Sequence, residues 1–185
     1  MSQTAVLSRP VAVARIPATG LDMEIIAGED ERAALAAAYD LRDVKTVSAS
    51  FTLRVGEKGA VAVSGRVVAE IVQTCIVSLA PVDQRIDEPL LALFVAPDSP
   101  DAPKPPKPGA EVVIHADQPE PPQILTGPAI DVGALAEEYF VLAIDPYPRA
   151  PGAILLADAA RPRDHGGDSP FAALAGLANR QPPKG

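Results

Sequence analysis

Few side chains in this sequence could do chemistry. There is one cysteine, Cys75, and there are two histidines, His115 and His165. A thiolate nucleophile needs a base held beside it, and His115 is the candidate partner. The alternative is that Cys75 is a small, buried apolar residue with no chemical task. One Cys and two His fall short of a typical structural zinc set without help from carboxylates. No metal and no other cofactor is therefore expected. A Gly-rich phosphate loop, a G-x-S-x-G elbow and an H-E-x-x-H pair are all missing. Glu137 and Glu138 are neighbours on a predicted helix, where adjacent side chains diverge. They read as a solvated helix face rather than a carboxylate dyad. Glu29, Asp30 and Glu31 read as electrostatic support for a helix start. A carboxylate-dependent hydrolase or nuclease would gather its acids around a metal ion. Here they are dispersed along predicted surfaces, so an enzyme is not expected.

Two segments suggest binding instead. Asp145 to Gly152 holds three prolines in six residues, Pro146, Pro148 and Pro151, with Tyr147 and Arg149 between them. A stiff backbone bearing Tyr and Arg suits a partner contact, so Pro146, Tyr147, Pro148, Arg149 and Pro151 are candidate contact residues. The competing reading is a rigid helix exit with Tyr147 packed against the body. Ser169 and Pro170 open a short helix near 170–178, with Phe171, Leu174 and Leu177 along one side. Phe171 is a further candidate contact. That helix could enter a partner's groove or pack back on its own domain.

The elements that position these residues are mostly strands. Val47, Ala49, Phe51, Leu53 and Val55 alternate with Ser48, Ser50, Thr52 and Arg54, which predicts a half-buried strand over Val44–Gly56. Gly56 to Gly59 is a turn, and Ala60–Thr74 returns as a second strand, with Gly65 placed to bend it. Gln84–Val95 is a third long run, and Pro89 within it requires a sheet edge or a bulge. Shorter β-like runs stand at Pro10–Ile16, Leu21–Ala27 and Glu111–His115. One helix is predicted over Ala33–Tyr39. A second opens after Asp131 as N-cap, with Ile130 and Leu135 at staple positions. Leu135, Tyr139 and Leu142 form its inward face, and it must stop before Pro146. The expected class is α+β: an antiparallel, barrel-like β body with two short helices and a C-terminal docking tail. The body covers residues 1–158, with a Pro-rich linker at 97–110. Residues 159–185 form a basic tail.

Charge narrows the partners. The net charge is −8 over 185 residues. Leu21–Asp158 alone holds 10 basic and 22 acidic residues, or −12, while 159–185 carries four basic and two acidic residues, or +2. Such a body repels a polyanion and suits a basic protein. Direct RNA binding would fall to the basic ends. No signal peptide or membrane span is evident, so a cytoplasmic location is expected.

Three motifs extend this reading. Gln73-Thr74-Cys75-Ile76-Val77-Ser78-Leu79-Ala80-Pro81 resembles a C-x-x-C-L-x-P signature. Ile130-Asp131, a helix, and then Asp145 to Gly152 resemble a second block. Ser169-Pro170-Phe171-Ala172-Ala173-Leu174 resembles a terminal P-F-A-x-L element. In this order they are similar to the YceD-like large ribosomal RNA subunit accumulation family, and Glu31–Ala36 resembles its alphaproteobacterial branch. The resemblance implies a bacterial, non-enzymatic accessory factor for the large ribosomal subunit, supporting synthesis, processing or accumulation of 23S rRNA. It implies a basic large-subunit protein as partner, with indirect or weak contact to the rRNA. It makes Cys75, Leu79, Pro81 and Asp131 structural motif residues. Many members carry a second cysteine three places after the first and more near the second block. Here Ser78 and Arg149-Ala150-Pro151 stand there, so no thiolate metal site carries over.

Overall fold

The computed structural model describes residues 5–103 and 121–154. The chain divides into Met1–Ala150 and Pro151–Gly185, and the fold described here lies in the first unit. In chain order it runs β1 (Pro10–Ala12), β2 (Leu21–Ile26), α1 (Glu29–Ala38), β3 (Asp43–Val55), β4 (Val61–Thr74), β5 (Pro81–Val95), β6 (Gln123–Ile124), β7 (Ala129–Asp131) and α2 (Val132–Leu142).

Strands β2 to β6 form one sheet in sequence order, and β1 pairs separately with β7. β2 through β5 are antiparallel neighbours. β6 joins β5 in parallel through Phe94–Gln123 and Val95–Ile124 only. The sheet is open, which corrects the expected barrel. Period-two alternation specifies one buried face, and that face is equally consistent with closure or with a cover of helices. Here helices supply the cover. α1 packs against β3, and α2 packs against β4 and β5. The two edge strands differ greatly in length, six residues against two, and do not pair.

The inner face is aliphatic apart from Phe51. Phe51, Leu53, Val63, Val67, Ile71, Ile86 and Leu90 are all buried there. Val55, expected on this face, is 38% exposed at the strand's end. The outer face keeps the polar residues Ser50, Thr52, Ser64 and Arg66 in register. Gly65 makes no bulge in β4, whose register with β3 and β5 runs straight through it. A Cβ there would lie 2.0 Å from the Ser50 carbonyl oxygen, so its role is close backbone approach. The irregularity falls instead between Val44 and Thr46. Pro89 sits where β5 has no strand on its outer side, as an edge proline must.

The first predicted strand is shorter than expected. After Ala12 the chain turns into a 3-10 turn at Val13–Arg15. The inward face of α2 also differs. Val132, Leu135, Ala136 and Phe140 are buried, but Tyr139 is only half-buried and Leu142 is 77% exposed. A helix this apolar offers several candidate stripes, and packing against β4 chose another. The expected strand at 111–115, the second half of the linker 97–110, and the tail with its helix near 170–178 lie outside the described residues.

Candidate functional site

Cys75 immediately follows β4 and begins the turn into β5. Its backbone N–H donates to the Ala80 carbonyl at 2.8 Å, and the Leu79 N–H donates back to the Cys75 carbonyl at 3.0 Å. This closes a tight turn and forces Leu79 to φ +59°, a left-handed conformation costly for a residue with a Cβ. Pro81 then starts β5 opposite Thr74.

The sulfur gathers three backbone donors. The N–H groups of Val77 and Ser78 reach Sγ at 3.4 and 3.3 Å from within the turn. The Ala150 N–H reaches it at 3.2 Å from the segment after α2. The Ile76 N–H also donates to the Pro148 carbonyl at 3.0 Å. The donor from Ala150, then the Ser78 hydroxyl and N–H, outweigh burial of the sulfur and draw the thiol down to about 6. Cys75 is buried as expected, but it is an acceptor that ties a turn to a loop rather than an inert filler.

A lowered pKa has a signed consequence for folding. The folded state favours the thiolate more than the unfolded chain does. That stabilisation is fully present above the ordinary thiol pKa and is lost as pH falls towards about 6. Cys75→Ala should therefore flatten the stability–pH curve between about 9 and 6. Urea melts across that range, with thiolate ultraviolet absorbance as a second readout, test this. A parallel curve for the variant would show that the sulfur is not held as an anion.

Two glutamines hold the exit of α2. Gln73 Nε2 donates to the Asp145 carbonyl at 2.8 Å. Gln84 Nε2 donates to the Ala143 carbonyl at 2.8 Å and its Oε1 accepts from the Asp145 N–H at 3.1 Å. Sequence reasoning passed over both. The signal for Gln73 was its place on the buried face of β4, in line with Val67, Ala69 and Ile71. With the exit fixed, Pro148 is buried while Pro146, Tyr147 and Arg149 are exposed, Tyr147 by 71%. Pro151, in the second unit, is exposed. Phe171 lies outside the described residues. On the neighbouring turn, Ile76 and Leu79 are 47% and 70% exposed.

The other end of α2 is anchored by Asp131. Its Oδ1 accepts from the Ala134 N–H at 3.0 Å, as an N-cap should, and from the Arg9 N–H at 2.7 Å. Its Oδ2 accepts from the Ser8 hydroxyl at 2.6 Å. Burial works to raise this carboxyl, but the Ser8, Arg9, Ala134 and Gly133 donors together hold it below the usual range. Ile130 and Leu135 are buried at the predicted staple positions.

Glu137 corrects the expectation of a solvated acidic face. Only Glu138 is exposed. Glu137 is buried, with Oε2 accepting from the Leu7 N–H at 2.8 Å and Oε1 from the Tyr39 hydroxyl at 2.6 Å. Burial, then the hydrogen bond to and charge of Glu137, push Tyr39 up to about 12. The acids of α1 behave as expected. Glu31 accepts from the Gly28 N–H at 2.9 Å and pairs with Arg9 at 2.7 Å, and the Gly28 donor leads in lowering its pKa.

Among the described residues, no three His, Cys, Asp or Glu side chains come together as a metal site. No helix among them is long and apolar enough to cross a membrane. No curated protein and no solved structure matches the chain. A family model does, over residues 63–178: Large ribosomal RNA subunit accumulation protein YceD. The match opens within β4 and takes in the Cys75 turn, β5, α2 and the proline segment. It spans well over half of the chain, which therefore belongs to the YceD family of large ribosomal RNA subunit accumulation proteins.

Proposed function

We propose that this protein is a non-enzymatic accessory factor of large-subunit production, supporting 23S rRNA accumulation by holding a basic protein of that subunit. The observation that carries this reading is the joined pair of surfaces at Cys75. One turn presents Ile76 and Leu79, and the segment tied to it presents Tyr147 and Arg149. Both lie inside the family match, on a body of net charge −12. An exposed Tyr and Arg beside exposed aliphatic residues has the composition of an interface core. A strongly acidic surround draws a basic partner and repels RNA. Direct RNA binding through the ends has less support, because Arg9, one of two basic residues before position 20, is engaged by Glu31.

The test is affinity purification of tagged protein from growing cells, before and after nuclease. A basic large-subunit protein should remain bound once RNA is digested. Tyr147→Ala combined with Leu79→Asn should reduce its recovery about tenfold. Asn tolerates the left-handed conformation at position 79, so the fold should persist, as a melting curve will check. Loss of all binding with the RNA would favour the basic ends, and absence of any large-subunit component would end the proposal.

A further inference from the structure

Beside Tyr139 of α2 the outer edge of β5 opens into a hollow of about 780 Å³. Its walls are Pro89, Leu91, Leu93, Pro121, Pro122 and Tyr139. Leu91 is 68% exposed and Leu93 40%, although both follow β5's alternation onto the solvent face. A second, smaller hollow of about 280 Å³ lies alongside and shares Gln123 with the first. Among the described residues the lining of the two includes the carboxylates Asp131 and Glu138 and no lysine or arginine. Asp131 is occupied by Ser8 and two backbone donors, which leaves the exposed Glu138 as the available anion. Arg66 stands opposite Pro89 across the β4–β5 ladder, but its guanidinium is bonded to Asp87.

The backbone at this edge is already answered. The Tyr139 hydroxyl donates to the Leu91 carbonyl at 2.7 Å, and the Leu91 N–H donates to the Tyr139 hydroxyl oxygen at 3.4 Å. Pro89 has no N–H to offer. An incoming chain therefore cannot add here as a further strand, which would need those groups. It must bind through its side chains, with apolar groups between the leucines and prolines. Charge selects the rest. A polyanion and a second copy of this acidic body are both repelled, whereas a cation meets Glu138.

We infer that this hollow receives a basic segment of a protein partner, one that inserts a large apolar side chain against Leu91 and Leu93 and sets a Lys or Arg against Glu138. The inference rests on the proposed accessory role for the source of that segment. It adds a second contact, at the β5 edge, to the one at Tyr147.

The probes are fluorescein-labelled peptides tiled across the basic proteins of the large ribosomal subunit, titrated with the full chain and read by anisotropy. At least one peptide with both apolar and cationic residues should bind saturably. Leu91→Ser should weaken it about tenfold, and Glu138→Lys by a similar factor that shrinks in high salt. Leu91 is exposed, so the Leu91→Ser variant should melt like the parent. Absence of binding by every peptide, binding indifferent to Leu91→Ser, displacement by an RNA oligonucleotide, or self-association through the hollow would each overturn the inference. Co-purification of large-subunit proteins without peptide binding removes the hollow alone. Peptide binding without such co-purification removes the accessory role and keeps the hollow's chemistry.

Discussion

Glu137→Ala is expected to cost about 3 kcal/mol of folding free energy, because it leaves a buried carboxylate site empty and strips the acceptor from one buried and one partly buried donor at once. The Leu7 N–H and the Tyr39 hydroxyl both end on this carboxylate. They come from the N-terminal segment and the end of α1, so one side chain on α2 joins three parts of the chain. Tyr39→Phe removes a donor and its share of the bond together, and should cost only about 1 kcal/mol. Glu137→Gln should fall between them, since its amide can satisfy one donor but turns an N–H towards the other. The alkaline limb gives an independent check. Tyr39 is raised to about 12, so the folded state favours its neutral form. That stabilisation is whole below the ordinary phenol pKa of about 10 and is lost as pH rises through about 12. Glu137→Ala removes part of that raise and should therefore flatten the loss of stability between about pH 10 and 12. Urea melts showing less than about 1 kcal/mol of loss for Glu137→Ala would mean that water replaces the carboxylate.

Gly133→Ala should be comparably damaging, at about 3 kcal/mol, although alanine is the better helix former by roughly 1 kcal/mol. A Cβ at position 133 would lie 1.8 Å from the Leu7 carbonyl oxygen and 2.7 Å from the Arg9 nitrogen. Both obstacles are backbone, fixed by the hydrogen bonds to Glu137 and Asp131, so no side chain can turn aside. The clash must therefore separate residues 7–9 from α2. Amide exchange gives the signature: Leu7 and Arg9 should lose protection while β4 keeps its own. A variant as stable as the parent would refute the close packing of this segment on the helix.

The strands were legible because each alternates over many residues, as Val47 to Leu53 does, and one face had to be buried. The start of α2 was legible because Asp131 carries a local cap. What could not be read was anything set by partners distant in sequence. β6 has two residues and no pattern, and it pairs only because the chain returns beside Val95. The position of Glu137 follows from its spacing. It lies four places after Gly133 and three before Phe140, both buried, so it shares their stripe. That neighbours diverge on a helix excludes a dyad, and it equally lets one of the two acids face inward. At Cys75 the turn was visible in the motif, but the Ala150 donor comes from 75 residues away.

The segment from Leu7 to Ala12 has a consequence for how the polypeptide is made. Among the described residues its backbone hydrogen bonds run to β7 and to Val132, and apart from the Arg9–Glu31 pair its other ties run to Asp131 and Glu137. Leu7 and Glu137 are separated by 130 residues. At ordinary elongation rates that gap takes on the order of ten seconds to synthesise. The hairpins of β3, β4 and β5 join near neighbours and can form meanwhile. The amino terminus thus emerges first and docks last, leaving Leu7 in solvent throughout elongation. Stalled nascent chains ending before position 129 should be cleaved near Leu7 by a protease that the completed protein resists.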